Sequence, residues 1–219
     1  MASRVGVAVA LLLAAAVAVV GASARQPPTG TAMYLVRQDQ RLCPSPRCGG
    51  YWVAIANGAR TRCQNGRRQP RCYVGRAVGA RGQAVGRIVE GALVRGAMDS
   101  WSPQDVGPLD ELVVSAVYAP TGTATASGGW YRVADNGVRC VRAPCFSYDV
   151  TPVNAQTRGR ASSLDLQAAR ASAADVARAL RAVTSKNGLY ARGRFARTQD
   201  GGTVFRALRL YLRAPLPPA

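Results

Sequence analysis

The sequence predicts an α+β fold made of two tandem related units, each a mostly antiparallel sheet with one short helix, stapled by disulfides. Three observations lead there. A cysteine motif recurs at a fixed distance, β-branched and aromatic runs flank both copies, and one amphipathic helical stretch follows the second copy. Residues 41–53 read RLCPSPRCGGYWV and residues 138–150 read VRCVRAPCFSYDV. At an offset of 97, Tyr34, Val36, Cys43, Cys48, Tyr51, Val53 and Asn57 meet Tyr131, Val133, Cys140, Cys145, Tyr148, Val150 and Asn154. Those are seven identities in 24 positions, where ordinary residue usage gives about two. Further on, Gly91, Arg95 and Gly96 meet Gly188, Arg192 and Gly193, and each copy closes on Ala-Pro, at Ala119-Pro120 and Ala214-Pro215. A repeat of this length sets the domain plan before any finer reading.

The chain has 219 residues. Its first 24 read as a signal peptide: Arg4, an apolar run from Val5 to Val20, then Ala22-Ser23-Ala24 as the small-x-small cleavage site. The run is shorter than the roughly 20 residues that span a bilayer. No cysteine lies near the site, which argues against a lipid anchor there. Cleavage near Ala24 leaves a short tail over 25–30, a first unit over 31–120, a linker over 121–129, a second unit over 130–216 and a tail over 217–219. No later segment is apolar enough to cross a membrane. The expected location is secreted or periplasmic.

In the first unit, MYLVR and YWVAIAN are strand candidates around the cysteine loop, followed by CYVGRAV. GQAVGRIVEG then stands where a short helix is expected, and GALVRGAMDSW and ELVVSAVYA close the unit as strands. TGTATASGG is small and polar, as linkers are. In the second unit WYRV and FSYDVTPV flank the loop, and SSLDLQA is the next strand. SAADVARALRAV predicts a helix with Ser172 as N-cap, Asp175 three residues on, and Val176, Leu180 and Val183 on one face; Gly188 would cap its end. LYARGRFA and TVFRALRLYLRA, joined through QDGG, complete the sheet.

All six cysteines lie in the exported part, and an even count in an oxidising compartment points to disulfides. Zinc is disfavoured because the chain has no histidine, and a four-cysteine site would have to join the two copies or recruit the extra pair Cys63 and Cys72 in the first. Exported thiols also meet oxidation before metal. Redox catalysis uses C-x-x-C at a helix N-terminus, whereas four residues separate these pairs and strand-formers follow. A motif present in both copies should pair within each, giving Cys43–Cys48 and Cys140–Cys145. Pro44, Pro46 and Pro144 favour the required turns. Cys63 and Cys72 have no counterparts and end one longer loop, so they pair with each other.

The motifs CPSPRCGGY and RCVRAPC, with LVRG between them, resemble a domain-of-unknown-function family of exported bacterial proteins found in high-GC soil bacteria and their relatives. The resemblance covers essentially the whole mature chain. It implies an extracytoplasmic bacterial protein and carries over no catalytic or ligand residues.

Function is narrowed mainly by exclusion. Without histidine the commonest general base is missing, Asp110 and Glu111 are adjacent and would face opposite ways on a strand, and no nucleophile-elbow, phosphate-loop or zincin pattern occurs. Asp149 is an unusual acid beside the cysteine loop, but Trp52 stands at its counterpart. The chain therefore reads as no enzyme, with no cofactor and no metal. It carries 29 Lys+Arg against 11 Asp+Glu, a formal charge of +18, and Lys186 is the one lysine. GC-rich coding explains arginine over lysine, but not the excess over acids. The expected role is a non-catalytic binding or structural protein of the cell envelope or secretome, with an anionic polymer or lipid surface as partner. No sequence-specific nucleic-acid signature is present. Candidate anion-binding residues are Arg62, Arg67, Arg68 and Arg71 in the cysteine-closed loop, and Arg192 and Arg194 in the second unit. The alternative is a protease inhibitor presenting Arg47 in the Cys43–Cys48 loop, which is similar to the reactive loops of some small disulfide-rich inhibitors.

Overall fold

A computed structural model describes residues 30–218; the expected leader over 1–24 and most of the expected tail over 25–30 lie outside the described residues, as does residue 219. The strands are β1 (Ala32–Gln38), β2 (Tyr51–Ile55), β3 (Thr61–Arg62), β4 (Arg68–Gln69), β5 (Cys72–Gly79), β6 (Leu93–Trp101) and β7 (Leu109–Thr121) in the first half. The second half has β8 (Gly129–Asp135), β9 (Tyr148–Pro152), β10 (Gly159–Ala161), β11 (Ser163–Asp165), β12 (Leu189–Arg197) and β13 (Thr203–Ala214). One α-helix, α1 (Ala173–Thr184), precedes β12.

The α+β expectation is therefore wrong: the described chain is essentially all-β, with no helix in the first half. GQAVGRIVEG is irregular there, with an isolated bridge from Ala84 to Val78. Its glycines are the reason. Gly82 and Gly91 take φ of 78° and 72°, outside the helical region. Gly86 lies against the C-terminal tail, donating its N–H to the Pro217 carbonyl at 3.0 Å, and a Cβ there would meet the Pro218 oxygen at 1.8 Å. The segment still sends Val85 and Ile88 into the interior.

Each half closes on itself. β1 pairs with β2, β2 with β5, β5 with β7, β7 with β6, and β6 returns to β1; only the β5–β7 contact is parallel. The second half repeats the circuit as β8, β9, β10/β11, β13, β12 and back to β8, with β11 parallel to β13. This strand order is that of an OB-type five-stranded Greek-key barrel. Val36, Val53, Val74, Val94 and Leu112 fill the first barrel, and Val133, Val150, Phe205, Ala207 and Leu210 the second. In the second, α1 adds Val176, Ala179 and Val183, whereas Leu180 is 54% exposed and off the buried face. Ser172 caps the helix by accepting from the Asp175 N–H at 3.1 Å; the C-cap is Ser185, not Gly188.

Closure demands a sharp bend in the fourth strand, and both halves place it at Arg-Gly. The register shifts between Arg95 and Gly96 on β6, and between Arg192 and Gly193 on β12. A Cβ on Gly96 would lie 2.4 Å from the Val113 oxygen, and one on Gly193 2.2 Å from the Arg206 oxygen. Only glycine lets the strands approach so closely.

The barrels join through the ends of β7 and β13, antiparallel about the Ala119–Leu212 pair, so that Tyr118 faces Arg213 and Pro120 faces Tyr211. β7 and β8 thus reach into the 121–129 stretch. Beside the join two asparagines clamp the halves reciprocally. Asn57 accepts from Trp130 N–H at 2.8 Å and donates to the Trp130 and Val153 carbonyls. Asn154 accepts from Met33 N–H at 2.8 Å and donates to the Met33 and Ala56 carbonyls. Both sit at positive φ, 61° and 60°, which asparagine tolerates better than most residues. Between them Met33, Leu93, Tyr118, Val153, Tyr190 and Tyr211 form a shared core, with the Tyr118 and Tyr190 rings 4.6 Å apart.

Asn154→Ala loses these bonds and must hold a left-handed backbone, and is expected to destabilise by about 2–3 kcal/mol; Asn154→Gly, which keeps only the bond loss, by about 1–2 kcal/mol. Urea denaturation measures both, and a neutral glycine variant would remove the clamp from the account.

Candidate functional site

Three disulfides close Cys43–Cys48, Cys63–Cys72 and Cys140–Cys145, with Cα separations of 5.4, 5.6 and 5.5 Å. Ser45–Pro46 and Ala143–Pro144 are cis. The first two staples border the outer face of β2 and β5, and the most organised surface chemistry among the described residues lies there. Alternation on these strands sends Val53 and Val74 inward and leaves Trp52 and Tyr73 facing each other outside, rings 5.5 Å apart edge to face.

Arginines stack on this pair. The Arg41 guanidinium lies 4.9 Å from the Trp52 ring and 4.8 Å from the Tyr73 ring, and Arg71 lies 4.8 Å from Trp52. Farther along β5, Arg76 stacks at 4.1 Å on Trp101 of β6 and pairs with the buried Glu111 of β7. Asp39 holds Arg41 in place. Its carboxylate accepts from Arg41 Nε at 3.0 and 3.1 Å, from the Arg41 backbone N–H, and from Trp52 Nε1 at 3.2 Å. The bond from the Arg41 side chain, above all, holds Asp39 below the usual carboxylate range. Arg41 Nη2 also donates to the Arg47 carbonyl at 3.0 Å, and Tyr73 Oη donates to the Pro46 carbonyl at 2.7 Å, so the cysteine loop is moored to the wall.

Beside the wall opens a cavity of about 480 Å3 lined by Trp52, Tyr73, Pro108 and Leu109 and by Gln64, Asn65, Gln69, Ser100 and Asp110. Asp110 accepts from the Gln64 N–H at 3.2 Å, and Gln64 Nε2 donates to the Met98 carbonyl at 2.6 Å. Burial holds Asp110 above its ordinary carboxylate range, against the opposing Gln64 bond. Its sulfur neighbours Cys63 and Cys72 lie within metal-ligand reach of its carboxylate, but their electrons are engaged in the disulfide and they are not thiolates. A larger hollow, about 600 Å3, runs past Arg76 and Arg87 and is lined in good part by glycines, which offer few side-chain donors.

The six candidate arginines divide. Arg62 and Arg68 are cross-strand partners on the β3–β4 hairpin, and Arg62, Arg67, Arg68 and Arg71 are exposed; of these only Arg71 joins the aromatic wall. Arg192 stacks on Trp130 at 4.5 Å and donates to the Gly128 carbonyl at 3.0 Å, next to the junction between halves. Arg194 is exposed opposite Arg206 on β13. The second group thus lies on the other barrel. TVFRALRLYLRA is a strand, as its sequence predicts. Sequence reading missed Arg41, Asp39, Tyr73, Trp101 and Arg76; the available signal was an arginine two residues before a cysteine loop, next to aromatics in strand alternation.

The second barrel has no such wall. Where Trp52 faces Tyr73, Asp149 faces Arg160 at 3.7 Å. Asp135 pairs with Arg139 at 2.7 Å ahead of the second loop, so an Asp–Arg pair stands before each loop while the aromatic face does not recur.

Because Asp39 is lowered, its stabilising contribution is complete above its unfolded value and lost as pH falls through the folded one. The gap in thermal midpoint between wild type and Asp39→Asn is expected to be full at about pH 5 and to shrink as pH falls below the ordinary carboxylate range. A gap unchanged with pH would show that the Asp39 charge does not hold the loop.

Among the described residues no helix is long and apolar enough to cross a membrane. No curated protein and no solved structure matches the chain. Residues 32–216, both barrels and the junction together, match the domain of unknown function DUF6748, and the chain belongs to that family.

Proposed function

We propose that the chain is an exported, non-catalytic binding protein of the bacterial envelope or secretome that holds an anionic partner on the outer face of β2 and β5. The observation that carries this reading is the stack of Arg41, Arg71 and Arg76 on Trp52, Tyr73 and Trp101. Arg41 is bonded to Asp39 and the Arg47 carbonyl and Arg76 to Glu111, so these two fix the platform and its positive field. The exposed Arg71 over Trp52 offers its guanidinium to carboxylate or phosphate, and groups ordered in advance lose little entropy on binding. The exposed Arg62, Arg67 and Arg68 on the adjoining hairpin, and the overall charge of +18, extend the attraction. The leader over 1–24 and the three disulfides support export.

The inhibitor alternative is less well supported. Arg47 N–H donates to the Pro44 carbonyl at 3.1 Å, which curls the loop into a turn. A protease cleft takes an extended segment that adds a strand.

Binding to sodium polyphosphate, used as a probe of charge alone, is expected to weaken about tenfold between about 50 and 150 mM salt. Arg71→Glu is expected to weaken it by a similar factor with little change in thermal stability, since Arg71 is exposed and lies over the Trp52 ring. Isothermal titration reads both. Salt-insensitive binding, or an unaffected Arg71→Glu variant, would overturn the assignment.

A further inference from the structure

The cavity beside the arginine wall differs from it in chemistry. The wall offers guanidinium edges, but the cavity is lined by amides, a hydroxyl, apolar side chains and one carboxylate. Asp110 is half-buried there, and in a chain with such an excess of arginine it has no ion pair among the described residues. A carboxylate left without a cation repels phosphate and carboxylate from the cavity. It welcomes neutral hydroxyl donors instead. Gln64, Asn65, Gln69 and Ser100 provide donors and acceptors together, the pairing that a hydroxyl needs because it both gives and takes a hydrogen bond. Pro108 and Leu109 supply surface for C–H groups.

We infer that this cavity receives a sugar ring while the wall takes that sugar's acidic substituent or its neighbour's, so the partner is an acidic glycan; this rests on the anionic-partner reading above. The volume, about 480 Å3, lies within the range of small-ligand sites. The floor is pre-formed: the Cys63–Cys72 bond closes the loop bearing Gln64, Asn65 and Gln69, and Gln64 is tied at both its backbone and its side chain. A pre-formed floor avoids an ordering cost on binding. Single-stranded nucleic acid is less well served, because base recognition relies on open aromatic faces, and Trp52 already has two guanidinium groups stacked on it. The second barrel, lacking both this disulfide and the Trp–Tyr pair, does not build the site.

The test titrates the folded protein with a panel of uronate and sugar-phosphate oligosaccharides, their methyl-esterified uronate forms, sodium polyphosphate and oligothymidylate. At least one acidic oligosaccharide should bind more tightly than polyphosphate of equal charge, and its esterified form should bind about tenfold more weakly. Asn65→Ala and Asp110→Asn should each weaken both glycan forms about tenfold and neither should weaken polyphosphate, with thermal unfolding confirming that both variants are folded. If polyphosphate binds and no glycan exceeds it, or if both variants bind glycans normally, the sugar inference falls and the charge reading stands. If only the esterified glycans bind, the charge reading falls and the sugar cavity stands. Oligothymidylate binding best of the panel overturns the sugar inference in favour of nucleic acid.

Discussion

Closure of each sheet on itself is the constraint from which the rest follows. A five-stranded circuit satisfies both edges of its strands, but the fourth strand must bend to reach the first and the fifth at once. The bend is made at Arg95-Gly96 and again at Arg192-Gly193, where the opposing carbonyl approaches too closely for any side chain. Closure turns one face of β2 and β5 inward around Val53 and Val74, and the other face becomes a fixed external platform. The platform is as rigid as the barrel beneath it.

The fifth strands run beyond their own barrels and pair with each other, and the two asparagines complete a reciprocal junction. Many of the residues that recur at the offset of 97 have a geometric task. Val36 and Val133, and Val53 and Val150, are fully buried in the barrels, and Asn57 and Asn154 hold the clamp. What does not recur is equally informative. Trp52, Tyr73, Cys63 and Cys72 occur in one half alone, and together they make the platform and its cavity. One barrel has kept the shared frame and added a surface; the other carries an ion pair at the same place.

That surface separates two kinds of attraction. Stacked guanidinium groups sit on the ridge, and an amide-rich hollow with one acid in its lining sits next to them. Asp39 and Asp110 show how environment divides identical side chains. Asp39 is embraced by Arg41 and stays ionised to lower pH, whereas Asp110 is half-buried without a cation and is pushed the other way.

The sequence by itself determined what is local. Strand runs flank the cysteine loops, cysteines five and nine positions apart are joined, and Ser172 caps α1, because each depends on residues a few positions apart. Tertiary structure decided what depends on distant neighbours. GQAVGRIVEG carries a helix-like pattern but lies under the Pro217–Pro218 tail, more than 120 residues away, and Gly82 and Gly91 take left-handed angles. Leu180 fits a helical stripe yet is exposed, because the barrel meets the neighbouring face at Ala179. Of the arginines singled out by clustering, Arg71 alone reaches the aromatic wall, whereas Arg41 and Arg76 are brought there by strand pairing. Charge counts reveal that cations are in excess; strand register, such as that of β2 against β5, decides which of them rest on a ring.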